Sequence, residues 1–152
     1  MSTDVLRVLQ TIEGAGGIID VPKDVSDHLR EGNVSLEEIN AIIWSHHHLD
    51  HIGDPSRFPP STALVVGPGF KTDQTTFPGY PANSDARTVD DAFHGRELVE
   101  LDFSAAPLEI GGFPALDYFG DGSFYLLYTK GHSKRRNAAY ETRLIIQQLT
   151  TT

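Results

Sequence analysis

The hydrophobic pattern of this chain is dominated by short apolar runs, which predict short strands rather than long helices. Residues 41–44 and 63–66 are continuously apolar and partly β-branched, a composition typical of strands buried on both faces. Residues 97–103 alternate instead, with apolar side chains at every second position, as in a strand with one buried face. The first run ends in Trp44, which we interpret as a core residue rather than a platform for substrate.

Turn signals divide the second half of the chain in the same way. Residues 108–110 and 113–119 lie on either side of Gly111-Gly112, which predicts two strands paired around a turn. Asp121-Gly122 is another turn signal, and the apolar and aromatic run 123–129 predicts a strand after it.

Helical patterns are weaker and lie around these strands. Residues 4–13 have the apolar spacing of a short amphipathic helix, and residues 24–30 predict one or two helical turns. Ser35 and Glu38 have capping-box spacing and predict a short helix leading into the first strand. Four apolar residues of the C-terminal tail fit one helix face: Tyr140, Leu144, Ile145 and Leu149. Residues 71–95 are polar and rich in Pro and Gly, which indicates a long loop over one face. The combination indicates a layered α/β class.

Length and composition fit one globular domain. We assign all 152 residues to a single domain, in which residues 134–152 form an atypical tail. Hydrophobic residues make up 39% and charged residues 22%, as in ordinary soluble domains. A net charge of −9 argues against nucleic acid and anionic membranes as partners.

The sequence has neither cysteine nor a hydrophobic targeting segment, which limits the possible metal ligands and the expected location. The chain has no cysteine, which excludes disulfides and thiolate metal sites. It has no apolar run approaching the roughly 18 residues of a membrane span, and its first residues do not resemble a secretory signal. We therefore expect a cytoplasmic protein.

The segment after the first predicted strand is the clearest indication of chemistry. It reads Ser45-His46-His47-His48-Leu49-Asp50-His51. Imidazole nitrogens and carboxylate oxygens are the ligands that zinc and similar divalent ions take. In an extended segment His46 and His48 point to one side and His47 to the other, and a turn can bring Asp50 and His51 toward the same point. The alternative is a chance cluster of solvated histidines or a tag remnant, although tags normally lie at termini.

The spacing His46-x-His48-x-Asp50-His51 at the end of a strand resembles the H-x-H-x-D-H signature of the metallo-β-lactamase superfamily. The resemblance implies that His46 and His48 bind a first metal ion, and that Asp50 and His51 belong to a second metal site. In this superfamily a G-H-[S/T] triplet after a later strand supplies the third histidine of the first site, and His132 in Gly131-His132-Ser133 matches it. The alternative interpretation of His132 is a histidine in a surface turn.

The resemblance also implies a fold and a reaction. The fold is an αββα sandwich, and the cofactor is zinc, as one or two ions. Metal-bound hydroxide would attack the carbonyl of a lactone or related ester, while Asp50 orients the water or accepts its proton. Residues 54–60, 66–71 and 121–127 are similar to the fungal lactonase-like branch, whose members are expected to hydrolyse such substrates. The expected partner is therefore a small ester or lactone, and the sequence leaves the oligomeric state open.

The similarity covers roughly residues 25–133 and departs from the family pattern at both ends. Tyr128 and Lys130 stand where the family has Asp and Pro, and neither Asp nor His follows His132. These departures predict an incomplete sandwich, shortened at both ends, and one tightly bound metal ion rather than two. The alternative to an active hydrolase is a vestigial or non-catalytic metal-binding relative that lacks the second half of the site.

Overall fold

A computed structural model of the protein describes residues 21–130 and 142–148. The helix predicted at residues 4–13 and the triplet containing His132 lie outside the described residues. Among the residues that are described, none of the helices is long and apolar enough to cross a membrane.

The first three predicted strands form a parallel sheet in the order β1-β2-β3, comprising Ala41–Ile43, Ala63–Val66 and Leu98–Glu100. The strand prediction for this region is confirmed, but β3 is shorter than the predicted segment 97–103. The backbone N–H of Leu101 still donates to the carbonyl of Val66, at 3.0 Å. The chain then turns, because the carboxylate of Asp102 accepts a hydrogen bond from the backbone N–H of Ser104 at 2.8 Å.

The second half of the described chain forms an antiparallel sheet in the order β4-β5-β6-β7. Its strands are Leu108–Ile110, Phe113–Asp117, Phe124–Lys130 and Thr142–Gln148. The predicted pairing around Gly111-Gly112 is confirmed, and both glycines have positive φ, at 61° and 84°. Two consecutive left-handed residues are what a tight hairpin turn requires.

The prediction of a helix in the tail is wrong for residues 142–148. These residues pair along the whole length of β6 as β7, from Lys130 opposite Thr142 to Phe124 opposite Gln148. A strand such as β6 presents a row of backbone N–H and C=O groups on its outer side, and pairing satisfies them. Backbone pairing with β6 therefore outweighs the weak helical spacing of apolar residues in this segment.

The helices within residues 21–130 are short. The first, α1, comprises Val25–Glu31, and α2 comprises Leu49–Ile52. The complete capping box lies at Asp24, whose carboxylate accepts from the N–H of Asp27 while Asp27 accepts from the N–H of Asp24. Ser35, where the sequence predicted such a box, caps only the three-residue 3-10 helix Leu36–Glu38 through the N–H of Glu37.

The parallel sheet separates two clusters of apolar side chains. On one face lies the first core, with these buried members: Trp44, Ile52, Leu64, Val66, Ala92 and Phe93. On the other face, Ile43 and Leu101 pack against the antiparallel sheet in the second core, whose buried members are Phe103 and Leu126. The alternation of side chains along each strand explains the division, since Ile42 belongs to the first core and Ile43 to the second.

The segment between β2 and β3 is the predicted long loop, and it covers the first core. It contains two 3-10 helices, Phe70–Thr72 and Asp90–Ala92, and it packs Phe77 and Val89 against that core. Its buried hydroxyl groups are hydrogen-bonded, since Thr88 donates to the carbonyl of Thr76. The described residues therefore form a mixed α/β structure of few short helices and two small sheets. This confirms the predicted class and fits part of the αββα sandwich.

Candidate active site

The histidine segment lies at the carboxyl end of β1 and is fastened to the first core by Trp44. The indole Nε1 donates to the carbonyl of Ile52 at the end of α2, at 2.9 Å. The same indole is 2% exposed and packs edge-on against Phe70 and Phe93. Trp44 is thus a core residue, as the sequence predicted, and it closes the segment between β1 and α2 into a compact turn.

Three of the four histidines in this segment come together. The Nε2 atom of His46 is 3.0 Å from Nδ1 of His48. The ring centroid of His46 lies 4.6 Å from that of His48 and 4.2 Å from that of His51. His46 is buried, with 5% of its surface exposed, and its Nδ1 is 3.1 Å from the hydroxyl of Ser45. The structure therefore unites His46, His48 and His51 around a buried imidazole.

Asp50 and His51 lie on the solvent side of this cluster. Both belong to α2, and His48 is the residue that precedes its first turn. The Asp50 side chain is 77% exposed, and its Oδ2 is 3.3 Å from Nε2 of His51. Helix α2 thus replaces the predicted turn and brings a carboxylate and an imidazole alongside the paired histidines.

His47 is buried as well, with 8% of its surface exposed. The ring centroid of His47 is 5.6 Å from that of His48. This distance is longer than the distances from the His46 centroid to those of His48 and His51. The interpretation of His47 as a non-ligand stays a prediction.

The donor set fits a divalent metal ion in its chemistry. Two ligand nitrogens on one tetrahedral zinc ion, each at 2.0–2.1 Å, are separated by about 3.3 Å. The nitrogens of His46 and His48 are within hydrogen-bond distance of each other, at 3.0 Å, which is also near that separation. Within residues 21–130 and 142–148, no three His, Asp or Glu side chains are arranged as a complete metal site. The predicted third ligand, His132, lies outside these ranges.

The carboxyl edge of the parallel sheet is held in shape by Glu100, the last residue of β3. One carboxylate oxygen accepts from the N–H of Gly69 and the other from the N–H of Lys71, both at 2.8 Å. Gly69 has φ = 86°, a left-handed conformation that disfavours other residues. The loop after β2 is therefore fixed against the end of β3.

A cavity of about 610 Å³ opens beside this edge. It is lined by residues from the ends of β2, β3 and β6 and from the β4–β5 hairpin: Pro68, Asp102, Phe103, Ser104, Gly112, Phe113, Pro114 and Tyr128. The sequence pattern does not indicate this cavity. The available signal was that Pro68 comes shortly after a predicted strand, at the end where ligands of parallel sheets bind.

Arg96 holds the chain that follows α2. Its guanidinium donates to four backbone carbonyl oxygens at 2.8–3.4 Å, those of Pro55, Phe58, Pro59 and Thr62. Burial lowers the pKa of Arg96 from its ordinary value. An arginine stays protonated despite this shift, so the side chain keeps its charge. Arg96 thereby connects the segment after α2 to the start of β3.

Comparison with known proteins identifies the family. A model of the metallo-beta-lactamase superfamily matches residues 14–133, which include the histidine segment, both described sheets apart from β7, and His132. The chain belongs to the metallo-beta-lactamase superfamily.

Individual relatives are fungal. The chain is 50% identical over 123 residues to gamma-lactamase FDB1 of Fusarium pseudograminearum, which covers 80% of this chain and 29% of that protein. It is 49% identical over 123 residues to gamma-lactamase MBL2 of Gibberella moniliformis, covering 80% of this chain and 51% of the relative. Metallo-hydrolase mfmC of Annulohypoxylon moriforme is 46% identical over 114 residues, covering 75% of this chain and 29% of that protein. These matches place the chain in a hydrolase family and confirm the fungal branch.

The chain spans about half or less of the length of these relatives. No solved structure matches it.

Proposed function

We propose that this chain is a metal-dependent hydrolase that acts on a lactone or a related ester. The observation that carries the proposal is the pairing of His46 and His48, whose nitrogens lie 3.0 Å apart at the carboxyl end of β1. Membership of the metallo-beta-lactamase superfamily, which typically binds zinc, supports it. The names of the relatives, two gamma-lactamases and a metallo-hydrolase, support the hydrolysis of a cyclic or activated carbonyl compound.

Each residue of the cluster has a role in this proposal. His46 and His48 would hold the metal together with His132, while Asp50 and His51 would contribute to a second position. The chemistry that a bound divalent cation supplies is a lowered pKa of coordinated water, toward about 7. Asp50 would accept the proton of the attacking water at its exposed carboxylate. His51, 3.3 Å from Asp50 Oδ2, orients that carboxylate when its Nε2 carries a proton.

The first test is metal content. We expect about one tightly held zinc ion for each chain, because in this proposal His46, His48 and His132 form one ligand set. His46→Ala, His48→Ala and His132→Ala should weaken zinc binding by more than the roughly 10–100-fold that outer partners of a metal site contribute. His47→Ala should weaken it far less. Elemental analysis measures the zinc content, and isothermal titration calorimetry measures the zinc affinity.

A matched control for these variants is His28→Ala, since the His28 side chain is 67% exposed and lies 4.0 Å from Glu31 on α1. It should leave zinc binding unchanged. Equal losses for His47→Ala and His46→Ala would show that the ligand assignment is wrong, and two tightly held ions would contradict the single site.

The second test is turnover. The protein with added zinc should hydrolyse a member of a panel of lactones, thioesters, γ-lactams and β-lactams, and a chelator should abolish the reaction. Asp50→Asn should lower kcat more than it lowers zinc affinity, because the amide cannot accept the proton. Zinc binding with no chelator-sensitive hydrolysis of any panel member would favour the alternative, a non-catalytic metal-binding relative.

A further inference from the structure

The first core contains three aromatic rings that pack edge-on against one another. The ring centroid of Trp44 is 5.9 Å from that of Phe70 and 6.0 Å from that of Phe93. The centroids of Phe70 and Phe93 are 5.8 Å apart, and the planes of the three pairs cross at 61–70°. Edge-to-face contacts depend on ring orientation. A shift of Phe70 would therefore change the packing around Trp44.

The backbone on both sides of Phe70 is held by Glu100, the last residue of β3. One carboxylate oxygen accepts from the N–H of Gly69, which precedes Phe70, and the other from the N–H of Lys71, which follows it, both at 2.8 Å. Both oxygens of a carboxylate accept hydrogen bonds, whereas a side-chain amide has one accepting oxygen and a donating nitrogen. Glu100 is thus matched to this pair of donors, and it fixes the point from which the Phe70 ring reaches the first core.

Trp44 in turn holds both ends of the histidine segment. Its backbone lies two residues before His46, and its indole Nε1 donates to the carbonyl of Ile52 at the end of α2, at 2.9 Å. His48 and His51 lie between these two points. A continuous set of contacts therefore runs from the end of β3, through two aromatic rings, to the histidine cluster.

We propose that Glu100 is a positioning residue for the metal site: it holds Phe70 against Trp44 and thereby keeps His46 and His48 in place as ligands of one ion. The inference rests on the proposed function for its connection to metal binding. The contacts that carry it involve no metal, so the first part of the test uses metal-free protein.

The test compares Glu100→Gln with Glu97→Gln in the full chain. Both substitutions remove one negative charge, and Glu97 is an exposed residue just before β3, at the opposite end of the strand. In Glu100→Gln one of the two N–H groups loses its acceptor. The loop keeps another attachment, because the buried hydroxyl of Thr76 donates to the carbonyl of Phe70 at 2.7 Å. We therefore expect both variants to fold, and circular dichroism checks this.

The first measurement is the fluorescence of Trp44, the single tryptophan of the chain, with a chelator present. The indole is 2% exposed, so acrylamide should quench the unmodified chain weakly. Glu100→Gln should move the emission maximum to longer wavelength and increase quenching, because the indole loses part of its packing. Glu97→Gln should change neither quantity.

The second measurement is zinc affinity, by isothermal titration calorimetry. Glu100→Gln should weaken zinc binding about tenfold, the lower end of the range for residues that orient metal ligands. Glu97→Gln should leave it unchanged, because salt screens the field of an exposed charge.

A double-mutant cycle with Phe70→Leu tests whether the effect passes through the Phe70 ring. Phe70→Leu alone should increase the quenching of Trp44 and weaken zinc binding, since leucine is apolar but makes no edge-on ring contact. In the Phe70→Leu background, Glu100→Gln should have little further effect on either quantity, because the side chain that Glu100 positions is already absent.

The proposal is overturned if Glu100→Gln matches Glu97→Gln in the fluorescence of Trp44 or in zinc affinity. It is also overturned if Glu100→Gln keeps its full effect in the Phe70→Leu background, because Glu100 would then act by another route. If Glu100→Gln does not fold, Phe70→Leu alone decides, and an unchanged zinc affinity in that variant overturns the proposal.

A failure of the proposed function gives a different result. Zinc binding without hydrolysis would contradict the hydrolase and leave the role of Glu100 standing. If the unmodified chain binds no zinc, the imidazole NMR signals of His46 and His48 in metal-free protein replace zinc affinity as the measurement. Those signals should move in Glu100→Gln and stay in place in Glu97→Gln, and signals that stay in place in both variants overturn the proposal.

Discussion

The two sides of the parallel sheet are built differently. The first core has six buried apolar residues, and Trp44 and Ile52 within it hold the two ends of the histidine segment. Among the residues whose side chains the structure describes, the second core has two buried members, Phe103 and Leu126, and half-buried residues such as Tyr118, Phe124 and Tyr128 pack against them. Within the described residues, the first side buries Trp44 and Phe93, whereas the second leaves its aromatic rings other than Phe103 partly exposed.

The difference assigns separate tasks to the two sides. Well-packed side chains hold single rotamers, so the first core can fix imidazole groups at the short distances that a metal site needs. The second core borders the cavity of about 610 Å³, which is lined in part by the buried ring of Phe103 and the half-buried ring of Tyr128. A variant in the first core should therefore reduce stability and metal affinity together, whereas a variant at an exposed position on the second side should have little effect on either.

The largest expected effect is that of Trp44→Ala. It removes a 2% exposed indole from the first core together with its hydrogen bond to Ile52. Replacing a buried large aromatic residue by alanine costs about 3–5 kcal/mol. We expect a loss of that size in the free energy of unfolding, measured by urea denaturation.

The matched variant on the second side is Phe119→Ala, which removes a ring that is 64% exposed and should cost less than about 1 kcal/mol. If the protein with Trp44→Ala still folds, its zinc affinity should fall as well, because α2 loses its attachment. Unchanged zinc affinity in a destabilised variant would show that the first core does not position the histidines.

The same contrast explains how much could be predicted from the sequence. The strands of both sheets were predictable wherever apolar runs were bounded by glycine, because burial and turn geometry act locally there, as at residues 63–66 and at Gly111-Gly112. The strand formed by residues 142–148 was not, since its partner is β6 and nothing in its own spacing indicates that pairing.

The candidate site also has one part that the sequence predicts and one part that it does not. The grouping of His46, His48 and His51 was predictable because all three are close in the chain. The cavity was not, because Asp102, Phe113 and Tyr128 come from three different elements that only the packing of the two sheets brings together.

An intermediate effect is expected for Arg96→Lys. Lysine keeps the positive charge but cannot reach four carbonyl oxygens at once, as the planar guanidinium does. We expect a loss of about 1–3 kcal/mol in the free energy of unfolding, since net hydrogen bonds to a charged group are lost. The control is Arg87→Lys at an exposed position. This variant should change the free energy of unfolding by less than about 0.5 kcal/mol. Equal effects of the two would mean that the carbonyl contacts of Arg96 do not hold the segment after α2.

The smallest effect concerns the outer attachment of the same segment, where the guanidinium of Arg57 lies 2.6 Å from Asp24 and 2.5 Å from Asp27. Burial by itself raises the pKa of Asp24, but hydrogen bonds from Ser26 and Asp27 and the charge of Arg57 outweigh it and lower the pKa. A carboxylate with a depressed pKa in the folded state stabilises the protein above the unfolded-state pKa of about 3.9, and this contribution is lost as the pH falls through the folded-state pKa.

Asp24→Ala should cost about 1 kcal/mol at pH 7, the usual value of a helix N-cap. The difference in the free energy of unfolding between Asp24→Ala and the unmodified chain should shrink as the pH falls below about 4. Thermal unfolding between pH 7 and pH 3 measures it, and a difference that stays constant across this range would contradict the assignment of a charged cap at Asp24.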